Sequence, residues 1–577
     1  MLTEALIDVY QFSAAFDVPT GTAADALTGR GQFLRISNPI LPGFNPDPSI
    51  VRVGEEVFIA TSTFEWYPGV QIHRSRDLKN WELAARPLDR ASLLDMRGNP
   101  DSGGVWAPCL TYADGRFWLV YSDMKRRDGA FKDCRNYLTT APSVEGPWSE
   151  PVYLNASGFD ASLFHDEDGR KWLVNMIWDH NQTGADRFGG IVIQEYDVGE
   201  ARLIGKIRNI YCGTDLGLVE GPHLYRRDGF YYLLTAEGGT EFDHAVTMAR
   251  SRDLFGPYET DPIKHMLTAK DTGPEHLLQR AGHADIVEMG DGSLFMVHLC
   301  SRPLPETRNL PVGAAKRDHC RSPLGRETAI QRLVWEPGAF PRLAHGGVAP
   351  AAEIDGPELP EAPVEPISGH RTFDAGLPPE FQWLRTPQPE RVFSLDARPG
   401  HLRIFGRESP GSTFEHALVA RRQDAMSCRA ETRIDVSPGD YQQFAGLISW
   451  YSGHKFHYLA VTADEAGARV LTVYSCPADW PDRTMTRVID PIALPGKAPI
   501  DLGCDVDGAR LRFRYRVQDG DWTDAGVTLD QSAISDESAD GAGNNFTGAF
   551  IGLCAHDTSG RGRHADFDRF SYRATPG

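Results

Sequence analysis

The stretch EDGRKWLVNM (residues 167–176) decides the fold, because the chain writes it five times. Its companions are VGEEVFIATS (53–62), ADGRFWLVYS (113–122), RDGFYYLLTA (227–236) and GDGSLFMVHL (290–299). In each copy a Gly-centred turn precedes alternating apolar and aromatic residues, the pattern of a tight hairpin feeding a strand. The marker glycines stand at 54, 115, 169, 229 and 292, at intervals of about 60 residues. Units of that length with several strands each suit propeller blades better than helical solenoids. Residues 37–345 are therefore predicted to form a five-bladed β-propeller. A second motif, SRDLKNW (75–81), APSVEGPW (141–148) and SRDLFGPY (251–258), reads as an outer strand of the same unit.

After Trp335 the pattern stops. Residues 346–370 carry prolines at 350, 357, 360, 363 and 366 without apolar periodicity, the composition of a stiff linker. Beyond it, within residues 371–577, segments such as FAGLISWY, FHYLAVTA, ARVLTVYS, LRFRYRV and FTGAFIGLC alternate with period two between polar turns. That is the signature of an antiparallel β-sandwich, so the fold class is all-β. Residues 1–36 are weakly periodic and read as an N-terminal arm with no assigned element.

The totals agree with two folded units. A chain of 577 residues exceeds what one hydrophobic core serves. The net charge of −20, with no long basic run, argues against a nucleic-acid partner. No apolar run reaches the roughly 18 residues that span a membrane. The nine cysteines show no CxxC pair, which favours reduced thiols. The opening MLTEALIDVY lacks a signal-peptide pattern, and a cytoplasmic location is the expectation.

The chemistry emerges from one equivalent position in the repeat. Nine residues before each of the last four marker glycines stand Trp106, Asp160, Glu220 and His283; in the first copy, whose turn is shorter, Asp47 stands seven before Gly54. Each precedes a small residue or proline, as expected where strands crowd a common axis, so these five side chains are predicted to converge on the central channel. Carboxylates are rarely buried without partners, and a ring containing three needs a use. Glycoside hydrolysis supplies one: a protonated carboxyl donates to the leaving oxygen while a carboxylate activates water. Inversion needs the two about 6.5 to 9.5 Å apart, and a third carboxylate nearby raises the acid's pKa.

Here the residues resemble a known family. ISNPILPGFNPDPSI, TSTFEWYPGVQIHRSRDLKNW, GVWAPCLTY, FDASLFHDEDGRKWLVNM, EGPHLYRRDGFYYLLTAEGGT and SPLGRETAIQ look like the β-xylosidase branch of glycoside hydrolase family 43, and residues 371–575 resemble its concanavalin-like sandwich. The resemblance implies Asp47 as general base, Glu220 as general acid and Asp160 as the residue that tunes the acid. It further implies a sugar pocket walled by Phe64, Trp106 and Trp178, with Arg326 on the sugar hydroxyls and Phe546 closing the pocket from the sandwich. His283 is a site residue that some relatives use, with waters, to hold Ca²⁺ or Mg²⁺; no cofactor is otherwise required. The implied activity is exo-acting, inverting release of terminal β-D-xylose from the non-reducing end of xylo-oligosaccharides, by a homo-oligomer.

Rival readings stand beside these. Asp47 between two prolines also suits a turn, Glu220 a strand-end salt bridge, Asp160 a capped turn and His283 a hydrogen-bonded core residue. Arg326 could pair with Glu327, and the aromatics could be core. An α-L-arabinofuranosidase, alone or as a dual activity, needs the same carboxylates. A non-catalytic carbohydrate-binding propeller needs no acid of raised pKa. A retaining fructan or sucrose hydrolase would carry an NDPNG-type motif, whereas this chain reads NPDPS.

Overall fold

A computed structural model describes residues 34–308, 320–365, 369–477, 484–538 and 546–575. Five four-stranded antiparallel sheets follow one another along the chain, each with its strands in sequence order. Blade one comprises Ser49–Val53, Glu56–Thr61, Gln71–Ser75 and Glu82–Ala85. The other blades begin with Gly104–Ala113, Ser162–His165, Glu220–Arg227 and Gln279–Glu288. Every marker glycine lies in the turn between the first and second strands of its blade, at positive φ. That conformation costs glycine nothing, which is why this turn repeats so legibly.

The ring closes through side chains as well as strands. Asp285 of blade five accepts hydrogen bonds from the Ser49 hydroxyl (3.0 Å) and the Ile50 N–H (2.8 Å) of blade one, and from the Tyr225 hydroxyl (2.6 Å) of blade four. One carboxylate thereby fastens three blades at the axis, where a buried charge without donors would be costly.

The second motif is not an outer strand. Ser75, Ala141 and Ser251 end the third strands of blades one, two and four, and the residues after them form the turn that leads to the outer strand. In blade one the Ser75 hydroxyl accepts from the Asp77 and Leu78 N–H groups, and Asp77 Oδ1 from those of Lys79 and Asn80. Short polar side chains that capture nearby amides build turns rather than strands.

The C-terminal region is a sandwich of an eight-stranded and a nine-stranded sheet. It includes the strands foreseen in Gln443–Ser452, Lys455–Ala463, Arg469–Pro477, Arg510–Val517 and Phe550–Asp557. Its edge strand comes from the propeller: Trp66–Tyr67 pairs with Phe381–Leu384, placing Tyr67 opposite Trp383 and Trp66 opposite Leu384. The Trp66 indole stacks on Phe550 at 3.8 Å, and Phe44 and Phe64 share that buried cluster with Leu384, Trp450 and Phe550.

The proline-rich segment is not a free spacer. Glu353–Asp355 pairs with Arg35–Ser37, the Ala362 N–H donates to Asp77, and Glu361 bridges Lys79 at 2.7 Å. The segment is strapped along blade one, and its residues 366–368, like residues 1–33 of the arm, lie outside the described residues.

Candidate active site

All five side chains drawn from the repeat line one cavity of about 260 Å³ at the propeller axis. A recurring backbone feature brings them there. Asp47, Asp160 and His283 have φ of 55°, 54° and 48°; in blades two and four the following residues, Ala107 and Gly221, take φ of 32° and 57°. The kink opens each inner strand and turns a side chain out of the sheet into the channel. For a non-glycine residue such a conformation costs of order 1–3 kcal/mol, and it persists only where packing enforces it. Register shifts after Trp106, Glu220 and Gly282 mark the accompanying bulges.

Gly221 is constrained further. A Cβ there would lie 3.2 Å from the His283 ring. Its bare backbone allows its N–H to reach Asp160 Oδ2 at 3.2 Å while the imidazole packs behind.

The three carboxyls occupy different environments. Asp47 accepts from the Ser62 hydroxyl at 2.7 Å and from Arg326 Nη1 at 3.0 Å. Ser62 is itself set by the Ala107 N–H at 2.7 Å, so the donor that aims Asp47 is anchored to the next blade. Among the described residues, no side-chain hydrogen bond or ion pair holds the buried Glu220 carboxyl. Burial pushes its pKa well above the usual carboxylate value, with the charges of Asp160 and then Asp47 adding to the shift. Asp160 is pushed up to about 8 by burial and by Asp47. Glu220 is thus the carboxyl whose environment favours the protonated form, beside an Asp47 gripped by a guanidinium.

His283 stands 3.9 Å from Asp160 Oδ2, and burial lowers its pKa to about 4, so the ring is neutral. Among the described residues no group of three or more His, Cys, Asp or Glu is placed to hold a metal ion. His244 lines the same cavity beside His283.

The walls are aromatic. Phe64 and Trp106 meet at 6.0 Å, Trp106 and Phe159 edge to face at 5.5 Å, and Phe159 and Trp178 at 6.3 Å. Phe546 arrives from the sandwich, its N–H bonded to the Ser102 hydroxyl at 2.8 Å. Arg326 pairs with Asp47 rather than with Glu327, which is taken by Arg302. Blade five is braced from outside: the buried Arg280 bonds Asp536 (2.8 Å) and Glu537 (3.0 Å) of the sandwich, three residues before His283.

Several lining residues escape the repeat: Lys132, Phe159, Phe188, Thr240 and His244. Phe159 directly precedes Asp160 and was within reach of the register argument. Lys132 sits on the 127–132 connection of blade two, where no period operates. Its ammonium lies 4.4 Å from the Trp178 ring centroid and donates to the Arg127 carbonyl at 2.8 Å, and burial lowers its pKa to about 8.

A propeller whose axis gathers a desolvated carboxyl, a second carboxyl oriented by a guanidinium and an aromatic cup is the frame of a glycoside hydrolase. The chain belongs to glycosyl hydrolases family 43, whose model matches residues 36–341, and residues 370–573 match the beta xylosidase C-terminal concanavalin A-like domain. It is 52% identical over 541 residues to xylosidase/arabinosidase 43B of Humicola insolens, covering 93% of this chain and 98% of the relative. It is 46% identical over 544 residues to a beta-xylosidase of Bacillus subtilis, covering 94% and 100%. Among solved structures, a xylan beta-1,4-xylosidase from Bacillus halodurans superposes with a TM-score of 0.88 at 47% identity, covering 93% of this chain and 100% of that one.

Proposed function

We propose that this glycoside hydrolase releases single xylose units from the non-reducing ends of xylo-oligosaccharides with inversion. In this reading Glu220 protonates the departing oxygen, Asp47 draws a proton from the attacking water, and Asp160 keeps Glu220 protonated. The observation that carries it is the contrast between two carboxyls of one cavity. Glu220 is desolvated, which raises its pKa, whereas Asp47 receives a guanidinium and a hydroxyl. Enzymes assign acid and base roles by such differences in environment. A cup lined by aromatic rings, with Phe546 of the sandwich among them, suits a terminal sugar. The relatives named beta-xylosidase support the substrate class. The name xylosidase/arabinosidase supports a terminal arabinofuranoside as a second substrate of the same cup.

Proton NMR of the enzyme with xylobiose, read before mutarotation, is the direct test. α-Xylose is expected as the first product; β-xylose would overturn inversion. Sugar binding without cleavage of xylobiose or an arabinofuranoside would overturn catalysis.

The role of Asp160 has its own signature. Removing a like charge lowers the pKa of its neighbour. Asp160→Asn is therefore expected to shift the alkaline limb of the kcat/KM profile toward lower pH, because the acid then loses its proton sooner as pH rises. The limb reports the coupled carboxyls together. An unmoved limb in the variant would count against the tuning role.

A further inference from the structure

The connection of blade two that carries Lys132 borders the cavity through that side chain. At its start, the Arg127 guanidinium lies 5.4 Å from the Phe546 ring. At its end, Lys132 covers Trp178, whose indole N–H donates to the Ala130 carbonyl at 2.9 Å. Between these ties stands Phe131, 58% exposed. Its ring stacks on that of the exposed His180, which follows Trp178 on blade three, at 4.7 Å and 27° between planes.

A lone exposed phenylalanine needs no explanation. This one differs in two ways. Each ring lies within two residues of a cavity-wall residue, so the pair continues the aromatic wall outward. The stack also fixes the phenyl in place, so little freedom remains to be lost when something lies on it. A flat phenyl ring outside a sugar pocket matches the C–H face of a pyranose.

We propose that Phe131, backed by His180, is a binding platform for the leaving-group part of the substrate, holding the third sugar of a xylo-oligosaccharide whose first occupies the cavity. This rests on the xylosidase reading above. It makes the enzyme sensitive to chain length beyond the disaccharide, by contacts equal in ground and transition states that act on kcat/KM.

The test compares kcat/KM for 4-nitrophenyl β-D-xyloside, xylobiose, xylotriose and xylotetraose in the wild type and in Phe131→Ala. Phe131 is exposed, so the substitution leaves the fold intact; Phe131→Trp serves as the conservative control. The expected result is a loss of roughly 3- to 10-fold on xylotriose and xylotetraose in Phe131→Ala, little change on the two shorter substrates, and recovery in Phe131→Trp. Equal losses on all four substrates, or no loss on the longer two, would overturn the platform while leaving the xylosidase reading intact. A wild type that cleaves none of the four would instead overturn the reading beneath it.

Discussion

Glu220→Ala is expected to lower kcat/KM on xylobiose by about 10³- to 10⁴-fold, yet by only about 10-fold on an aryl xyloside with an acidic phenol. The argument is chemical. A xylose hydroxylate is a poor leaving group and must be protonated as the bond breaks, whereas a nitrophenolate departs without help. Glu220 is the carboxyl equipped for this, because burial first, and then Asp160 and Asp47, raise its pKa. The variant also removes the acid whose deprotonation ends activity at high pH, so its residual activity should lose the alkaline limb of the wild-type profile. Steady-state kinetics on both substrates settle the matter, and equal losses would remove Glu220 from the acid role.

Asp47→Ala is expected to fail differently, with losses of about 10²- to 10⁴-fold that are the same on both substrates. Water must be activated whatever the leaving group, so a better phenol brings no relief. The variant leaves Arg326 and Ser62 without the carboxylate they aim. Some of its loss will therefore appear in KM as the guanidinium turns elsewhere. A leaving-group dependence like that of Glu220→Ala would contradict the division of labour between the two carboxyls.

The parts of this protein legible in its sequence are those set by local rules. A hairpin turn is specified within four residues, so five copies announced five blades, and a count back from each turn, nine residues in four copies and seven in the first, located Trp106, Asp160, Glu220, His283 and Asp47. The same rules, read carelessly, mislabelled SRDLKNW as a strand, although its Ser, Asp and Asn side chains were turn formers throughout. Lys132 and Thr240 were invisible because the connections that carry them have no period to count from. The strand Trp66–Tyr67 was invisible for a different reason. It is two residues long, and its partner Phe381–Leu384 lies some 300 residues away, so neither alternation nor proximity betrays it.

That borrowed strand has an evolutionary consequence. Phe64, Glu65, Trp66 and Tyr67 are consecutive: the first faces the sugar cup, and the last two are stitched into the sandwich. A lineage cannot shuffle its sandwich as an interchangeable cassette, because the cut between Tyr67 and Trp383 runs through a sheet rather than through a tether. Recombination in this lineage should therefore leave crossovers outside the whole 63–384 span or carry the 63–67 segment along with the new sandwich. Diversity in substrate choice is then expected to accumulate by point changes around the cup and its mouth.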